Sequence, residues 1–223
     1  MASPTGIAGS GQTVDGHNYG NIYTSGEYAH GIIAYSESPD TTTVVNGGVI
    51  EATGEETNGI RAFGPTVNVT NLEDGDIYAE DDALYIAEAE VVTVTNHGTI
   101  GSYGSDGIDI QYAEAATVTN HGDMNSNEAG IEVTTTDEVS IYNYGSVEGR
   151  VDVSGAYDAY FLNDEGAEVI VSEESSDEDG GVRIEAFAEV DVVNRGSITV
   201  AADETYGVYL RSNTVSLDNS GTI

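Results

Sequence analysis

Carboxylates are the most abundant reactive side chains in this 223-residue sequence. Forty Asp and Glu residues stand against five Arg, four His, no Lys and no Cys, so the formal net charge is −35. Side chains of this type can bind divalent cations, and pairs of them can act as general acid and base. The same charge repels a polyanion, which excludes DNA or RNA as a partner. The lack of cysteine excludes disulfides and thiolate catalysis.

The carboxylates recur in two groups along the chain. The first comprises Glu55, Glu56, Glu80, Asp81, Asp82, Asp106, Glu128, the acidic residues of 173–179, Asp203 and Glu204, and the second comprises Glu88, Glu90, Glu114, Asp137, Glu138 and Glu189. We expect diffuse cation binding, with Asp81, Asp82, Asp106 and Asp109 as candidates for a specific Ca²⁺ site. The sequence contains no EF-hand loop or glycine-rich Ca²⁺-binding nonapeptide, so no cofactor is predicted to be required.

Catalytic motifs are missing from the sequence. It has no G-x-S-x-G elbow, zinc motif or phosphate-binding loop, and the histidines have no evident triad partners. His97 and His121 occupy equivalent positions in a repeat and are expected to stack on the outside, without the further ligands that a metal needs. The chain is therefore predicted not to be an enzyme. Polysaccharide binding or processing stays an alternative, because carboxylate pairs are too common here to argue either way.

A repeated phrase must position these side chains. It is an apolar alternation that ends in Asn, with Gly usually two residues later, as in VTVTNHGTI at 92–100 and VDVVNRGSI at 190–198. Nine copies recur with a mean period of about 25 residues. Their asparagines are Asn18, Asn46, Asn71, Asn96, Asn120, Asn143, Asn163, Asn194 and Asn219.

A second phrase lies between the copies, with a small residue followed by aliphatic, any residue and aliphatic, as in GIDI at 107–110 and GVYL at 207–210. Both phrases alternate with a period of two, which is typical of strands. Two or three short strands in each repeat predict an all-β fold, a single-stranded parallel β-solenoid (right-handed β-helix) of about nine coils, since one coil alone cannot bury its apolar face.

The nine asparagines are predicted to be structural. Each ends an inward-facing run, where its amide can bond to the amides of the coils above and below. The glycine two residues later is predicted to supply a backbone angle that a Cβ would resist. Residues 1–223 are predicted to form one β-solenoid domain, with 172–180 as an acidic loop insertion and 1–5 as an expression remnant or a disordered end.

The two phrases together resemble the passenger regions of bacterial autotransporters and related surface adhesins. NHGTI, NRGSI and NSGTI, alternating with GIDI or GVYL, carry this resemblance over essentially the whole chain. It implies an extracellular location at the bacterial cell surface, and a role as a stalk or attachment surface in adhesion, aggregation or biofilm. The sequence shows no signal peptide, translocating barrel or protease insertion, so the resemblance is to a passenger segment.

The partners are expected to be cell-surface or polysaccharide ligands, or further copies of the chain. No apolar run approaches the roughly 18–20 residues of a membrane span, so membrane insertion is not predicted. The first residues, TGIA at 5–8, look like the second phrase, and the chain stops at the end of the first. The alternative function is therefore a filament subunit that stacks head to tail.

Overall fold

The computed structural model describes residues 6–37, 39–172, 180–201 and 206–223. The predictions for residues 1–5, for most of the acidic loop at 172–180, and for Asp203 and Glu204 therefore lie outside the described residues. Within the described part of the chain every regular element is a β-strand.

Twenty strands follow one another along the described residues. They are β1 Ile7–Gly11, β2 Val14–Asn18, β3 Asn21–Thr24, β4 Ile32–Ser36, β5 Thr41–Asn46, β6 Val49–Ala52, β7 Ile60–Phe63, β8 Thr66–Asn71, β9 Asp76–Ala79, β10 Leu84–Ala87, β11 Val91–Asn96, β12 Thr99–Ser102, β13 Ile108–Asn120, β14 Asp123–Asn143, β15 Ser146–Asn163, β16 Glu168–Val171, β17 Val182–Asn194, β18 Ser197–Val200, β19 Val208–Arg211 and β20 Thr214–Asn219.

Strands at equivalent positions of successive coils pair in parallel. The pairing β8–β11 aligns Asn71 with Asn96, and the pairing of β11 with β13 aligns Asn96 with Asn120. The same register relates every ladder asparagine to the next, so that eight turns separate Asn18 from Asn219. The predicted parallel, right-handed β-helix is confirmed, and its number of turns agrees with the nine repeats.

The core is a stack of aliphatic side chains from both phrases. Val94, Val118 and Ile141 follow one another in register, and each is fully buried. Phe161 takes the next position and is the largest fully buried side chain among the described residues. Side chains alternate between this core and the outside because successive residues of a strand point to opposite faces. The alternation read from the sequence therefore sets which residues can form a site.

The glycine of the first phrase is required for a reason other than the predicted one. Gly98, Gly122 and Gly145 do not have positive φ, so the expectation of a special backbone angle is wrong. A Cβ on any of them would instead lie far inside van der Waals distance of a backbone carbonyl oxygen in the preceding coil. The coils approach so closely at this corner that only a hydrogen fits.

Positive φ angles occur at another corner, directly after the second phrase. Gly64, Glu88 and Tyr112 take these angles in three consecutive coils. β13, which contains Tyr112, and then β14, β15 and β17 run through this corner without a break, with register shifts near Ala113 and Ala156. The second phrase thus ends in a turn in the earlier coils and continues into the next strand in the later ones.

Candidate functional site

The nine predicted asparagines form one continuous hydrogen-bonded column. Each Nδ2 donates to the Oδ1 of the asparagine in the next coil, at 2.8–2.9 Å in all eight steps. The seven between Asn46 and Asn194 are fully buried. Most also bond to the backbone of their own turn, as Asn120 does to Gly122. Because the seven buried amides are internally saturated, they hold the coils together and leave no group for a ligand.

A column of rings lies on the outside of the same turn. The rings of His97 and His121 are stacked 4.9 Å apart with 5° between their planes, and Tyr144 continues the stack at 4.8 Å. All three side chains are exposed. The stacking expected for the two histidines is thus observed, and the third ring extends it into the next coil.

Two adjoining shallow depressions, which share Glu138 and Asp158, form an acidic groove across five coils from β11 to β17. It contains most of the second carboxylate group together with two tyrosines, and its lining includes Glu90, Glu114, Asp137, Glu138, Tyr157, Asp158, Tyr160 and Glu189. The ring of Tyr160 also contacts that of Tyr142 at 5.5 Å. The groove therefore combines hydrogen-bond acceptors with flat apolar faces.

Three of the four candidate metal-binding aspartates come together at another edge. Asp82 and Asp106 precede β10 and β13, and Asp109 lies on the outer face of β13. One carboxylate oxygen of each lies within 4.8 Å of the others, and all three residues are at most 6% exposed. Asp81 is outside this cluster, and its carboxylate accepts a hydrogen bond from Asn58.

Burial disfavours the charged form of these three carboxyls. It raises the pKa of Asp82 to about 6, that of Asp109 to about 7 and that of Asp106 to about 8. Neighbouring carboxylates, Glu132 among them, raise all three values further. The period-two alternation places Asp109 on the outer face of β13. It does face away from the core, but adjacent coils cover it.

His30 lies two coils before Asp82, beside Asn58 and Arg61. Its Nδ1 accepts a hydrogen bond from the backbone N–H of Asn58 at 3.0 Å, and its Nε2 lies 3.3 Å from Nη1 of Arg61. Burial, and then the charge of Arg61, lower the pKa of His30 to about 4. No pattern in the sequence indicates this role, because a histidine before the second phrase looks the same whether it is exposed or buried.

A network of arginines and carboxylates continues along the outer face of the second phrase. Arg150 pairs with Glu132 and Asp152, each at 3.3 Å, and Arg183 pairs with Asp152 at 3.1 Å. Arg150 is only 8% exposed although it occupies a position where other coils have Gly or Ala. That exception was the one signal in the sequence that could have indicated this network.

Charging of His30 should make the protein less stable in acid. The folded pKa of about 4 lies below the ordinary value of 6.5, so the unfolded chain binds more protons between these values. The contribution of His30 to stability is then lost as the pH falls from 6.5 towards 4, by at most about 3 kcal/mol at 1.36 kcal/mol per pKa unit, whereas the raised pKa values of Asp82, Asp106 and Asp109 act in the opposite direction.

The measurement is urea unfolding of the wild type and of His30→Asn at pH 7 and pH 4.5. Asparagine keeps an acceptor for the Asn58 N–H but does not titrate in this range. Between pH 7 and pH 4.5 the wild type should lose more unfolding free energy than His30→Asn does. A pH-independent difference would contradict the assignment.

The parallel coils define the chain as a β-helix-type domain, and the family that it matches is one of bacterial surface proteins. Residues 65–223, about seven tenths of the chain, match the family described as the BigA third pectate lyase-like domain. The chain belongs to this family. The words "pectate lyase-like" in that name refer to the fold and assign no catalytic activity.

Comparisons with curated proteins and with solved structures give no match. Among the described residues, no helix is long and apolar enough to cross a membrane. The predicted Ca²⁺ binding, the end-to-end association and the polysaccharide ligands all stay predictions.

Proposed function

We propose that this chain is a non-catalytic segment of an extracellular adhesin, as in autotransporter passengers, that acts both as a stalk and as an attachment surface. The observation that carries the proposal is the acidic groove. It presents carboxylates and tyrosines on a scaffold whose coils are joined by the asparagine hydrogen bonds. Aromatic side chains are enriched at recognition surfaces because they supply large contact areas at low entropic cost.

The chemistry of the groove indicates which ligand class fits. Carboxylates accept hydrogen bonds from sugar hydroxyls and attract protonated amines, and tyrosine rings pack against the apolar faces of sugar rings. The net charge of −35 repels acidic polymers. The proposed ligands are therefore polysaccharides without acid groups, with amino-sugar polymers bound most tightly.

The side-chain contacts support binding without cleavage. In the described part of the chain, none of the four histidines is hydrogen-bonded to a serine or threonine hydroxyl. His97 stacks on His121, which stacks on Tyr144, and His30 is held neutral by burial. These roles leave no activated nucleophile of the Ser–His type there.

Binding should follow the charge of the polysaccharide. Purified protein is titrated against immobilised chitosan, dextran and alginate at about 0.15 M salt, where exposed charges more than about 8 Å apart are largely screened. We expect binding to decrease in that order, with none to alginate. Replacing both Glu114 and Glu138 with Gln should weaken chitosan binding about tenfold, which corresponds to the loss of about 1.4 kcal/mol.

The matched control replaces Glu27 and Glu165 with Gln, which changes the net charge equally at exposed positions away from the groove. This variant should bind chitosan as the wild type does. Equal weakening in both double variants, or binding to alginate, would refute the groove as the attachment surface. Release of reducing ends from any of the polymers would refute the non-catalytic function.

A further inference from the structure

The cluster of Asp82, Asp106 and Asp109 has one carboxylate oxygen without a partner. Oδ1 of Asp109 is buried and accepts no hydrogen bond, whereas Oδ2 accepts one from Nε2 of Gln111 at 2.6 Å. A buried carboxylate oxygen without a partner is costly unless a proton or cation satisfies it. Asp109 also supplies one of the three carboxylate oxygens that lie within 4.8 Å of one another.

The remaining hydrogen bonds hold the other two carboxylates in place. Asp82 accepts from the backbone N–H of Asp106 and from Nδ2 of Asn58, both at 3.3 Å. Oδ1 of Asp106 accepts from the backbone N–H of Ala129 at 2.8 Å. The donors come from neighbouring coils, so the three carboxylates are oriented before any ligand binds.

Between the described residues, no salt bridge includes Asp82, Asp106 or Asp109. The neighbouring Arg150 pairs with Glu132 and with Asp152. Glu132 pairs with Asp109 in register and adds further negative charge beside the cluster. A bound divalent cation would offset this repulsion.

The ligand types and their spacing favour Ca²⁺ among the divalent cations. Ca²⁺ binds six to eight oxygens at about 2.3–2.6 Å, so two of its ligands lie at most about 5 Å apart, and it tolerates irregular geometry. Mg²⁺ needs near-ideal octahedral geometry and keeps several waters, which a buried cluster does not favour. The absence of His or Cys from the cluster disfavours zinc and other transition metals.

We propose that Asp82, Asp106 and Asp109 form a Ca²⁺ site that joins the coils carrying β10 and β13. Asp82 comes from one coil, and Asp106 and Asp109 come from the next. The ion therefore links adjacent coils at this edge, whereas the asparagine column links them through hydrogen bonds and needs no ion. Because the ion binds only the folded arrangement, it stabilises the fold.

The direct test is isothermal titration of chelator-treated protein with Ca²⁺ at pH 7.5 and about 0.15 M salt, where diffuse binding to exposed carboxylates is screened. We expect one site per chain, with a dissociation constant between about 10⁻⁵ and 10⁻³ M. The thermal midpoint should rise by about 5–10 °C at a Ca²⁺ concentration near 100 times that constant. The absence of saturable binding, or equally tight binding of Mg²⁺, would overturn the proposal.

Two variants separate a specific site from the general negative charge. Asp109→Asn should weaken Ca²⁺ binding at least tenfold, or about 1.4 kcal/mol, while its thermal midpoint in chelator stays at or above that of the wild type. Asp81→Asn removes the same charge from the neighbouring position outside the cluster, and should leave the affinity unchanged. Equal affinities in the two variants would overturn the site.

Terbium luminescence gives a readout on the otherwise unmodified protein. Tb³⁺ binds oxygen ligands as Ca²⁺ does and emits when a nearby aromatic ring absorbs light. Tyr85 pairs with Asp109 in register, and the chain has no tryptophan. Ca²⁺ should therefore displace the bound Tb³⁺ and abolish its emission. The Tyr85→Phe variant should lose most of the Tb³⁺ emission while binding Ca²⁺ with the affinity of the wild type. Emission that is unchanged in Tyr85→Phe would place the ion elsewhere.

Discussion

Replacing Asn120 with alanine is expected to lower the free energy of unfolding by about 3–5 kcal/mol, a loss typical of a broken buried hydrogen-bond network. The side chain bonds to the amides of Asn96 and Asn143 and to the backbone of Gly122 and Ser146. Alanine leaves these partners buried without a replacement. Urea unfolding followed by circular dichroism measures the loss.

Asn219→Ala is the matched control. This asparagine lies in the last coil and is exposed, and its side chain accepts a single bond, from Asn194. Its loss should cost no more than about 1 kcal/mol. Similar losses at the two positions would mean that the column does not stabilise the stack. Because coils contact only their neighbours, the transition should be checked with a second probe before a two-state analysis.

Gly122→Ala should cost about 3 kcal/mol or prevent folding, the upper end for overpacking. The added Cβ would meet the carbonyl oxygen of Gly98 and the backbone of His97. These atoms belong to the backbone of a paired coil, so they cannot move aside as a side chain could. Soluble yield and the urea midpoint report the effect.

Gly20→Ala provides the control for glycine itself. Gly20 occupies the equivalent position in the first coil, where a Cβ would meet nothing within 4 Å. This variant should be as stable as the wild type or slightly more so, because alanine restricts the unfolded chain. A comparable loss at both glycines would show that backbone freedom, and not close approach, explains the motif.

The sequence predicted the fold because both phrases keep their alternation through every coil. In the first phrase Val92, Val94 and Asn96 point inward, and the same order recurs at Val190, Val192 and Asn194. It could not predict the reason for the glycine, since positive φ and close approach select the same residue. Only the distance between coils distinguishes the two explanations.

The candidate site was predictable only in part. Carboxylate spacing indicated Asp82, Asp106 and Asp109, but Asp81 has the same side chain and differs only in its orientation. His30 and Arg150 are buried, and each bonds to a residue one coil away, more than 15 residues distant in sequence. A periodic sequence pattern predicts which backbone positions of adjacent coils pair. It does not predict which outward-facing side chains then contact one another.

The asparagine column has a polarity. In every step the amide N–H points from the earlier coil to the later one. Their dipoles therefore add along the axis, as peptide dipoles do in an α-helix. A duplicated coil inserted in the same orientation would find a donor on one side and an acceptor on the other, whereas an inverted coil would oppose like groups. Tandem duplication of a coil can thus lengthen the solenoid between any two coils without breaking the asparagine column.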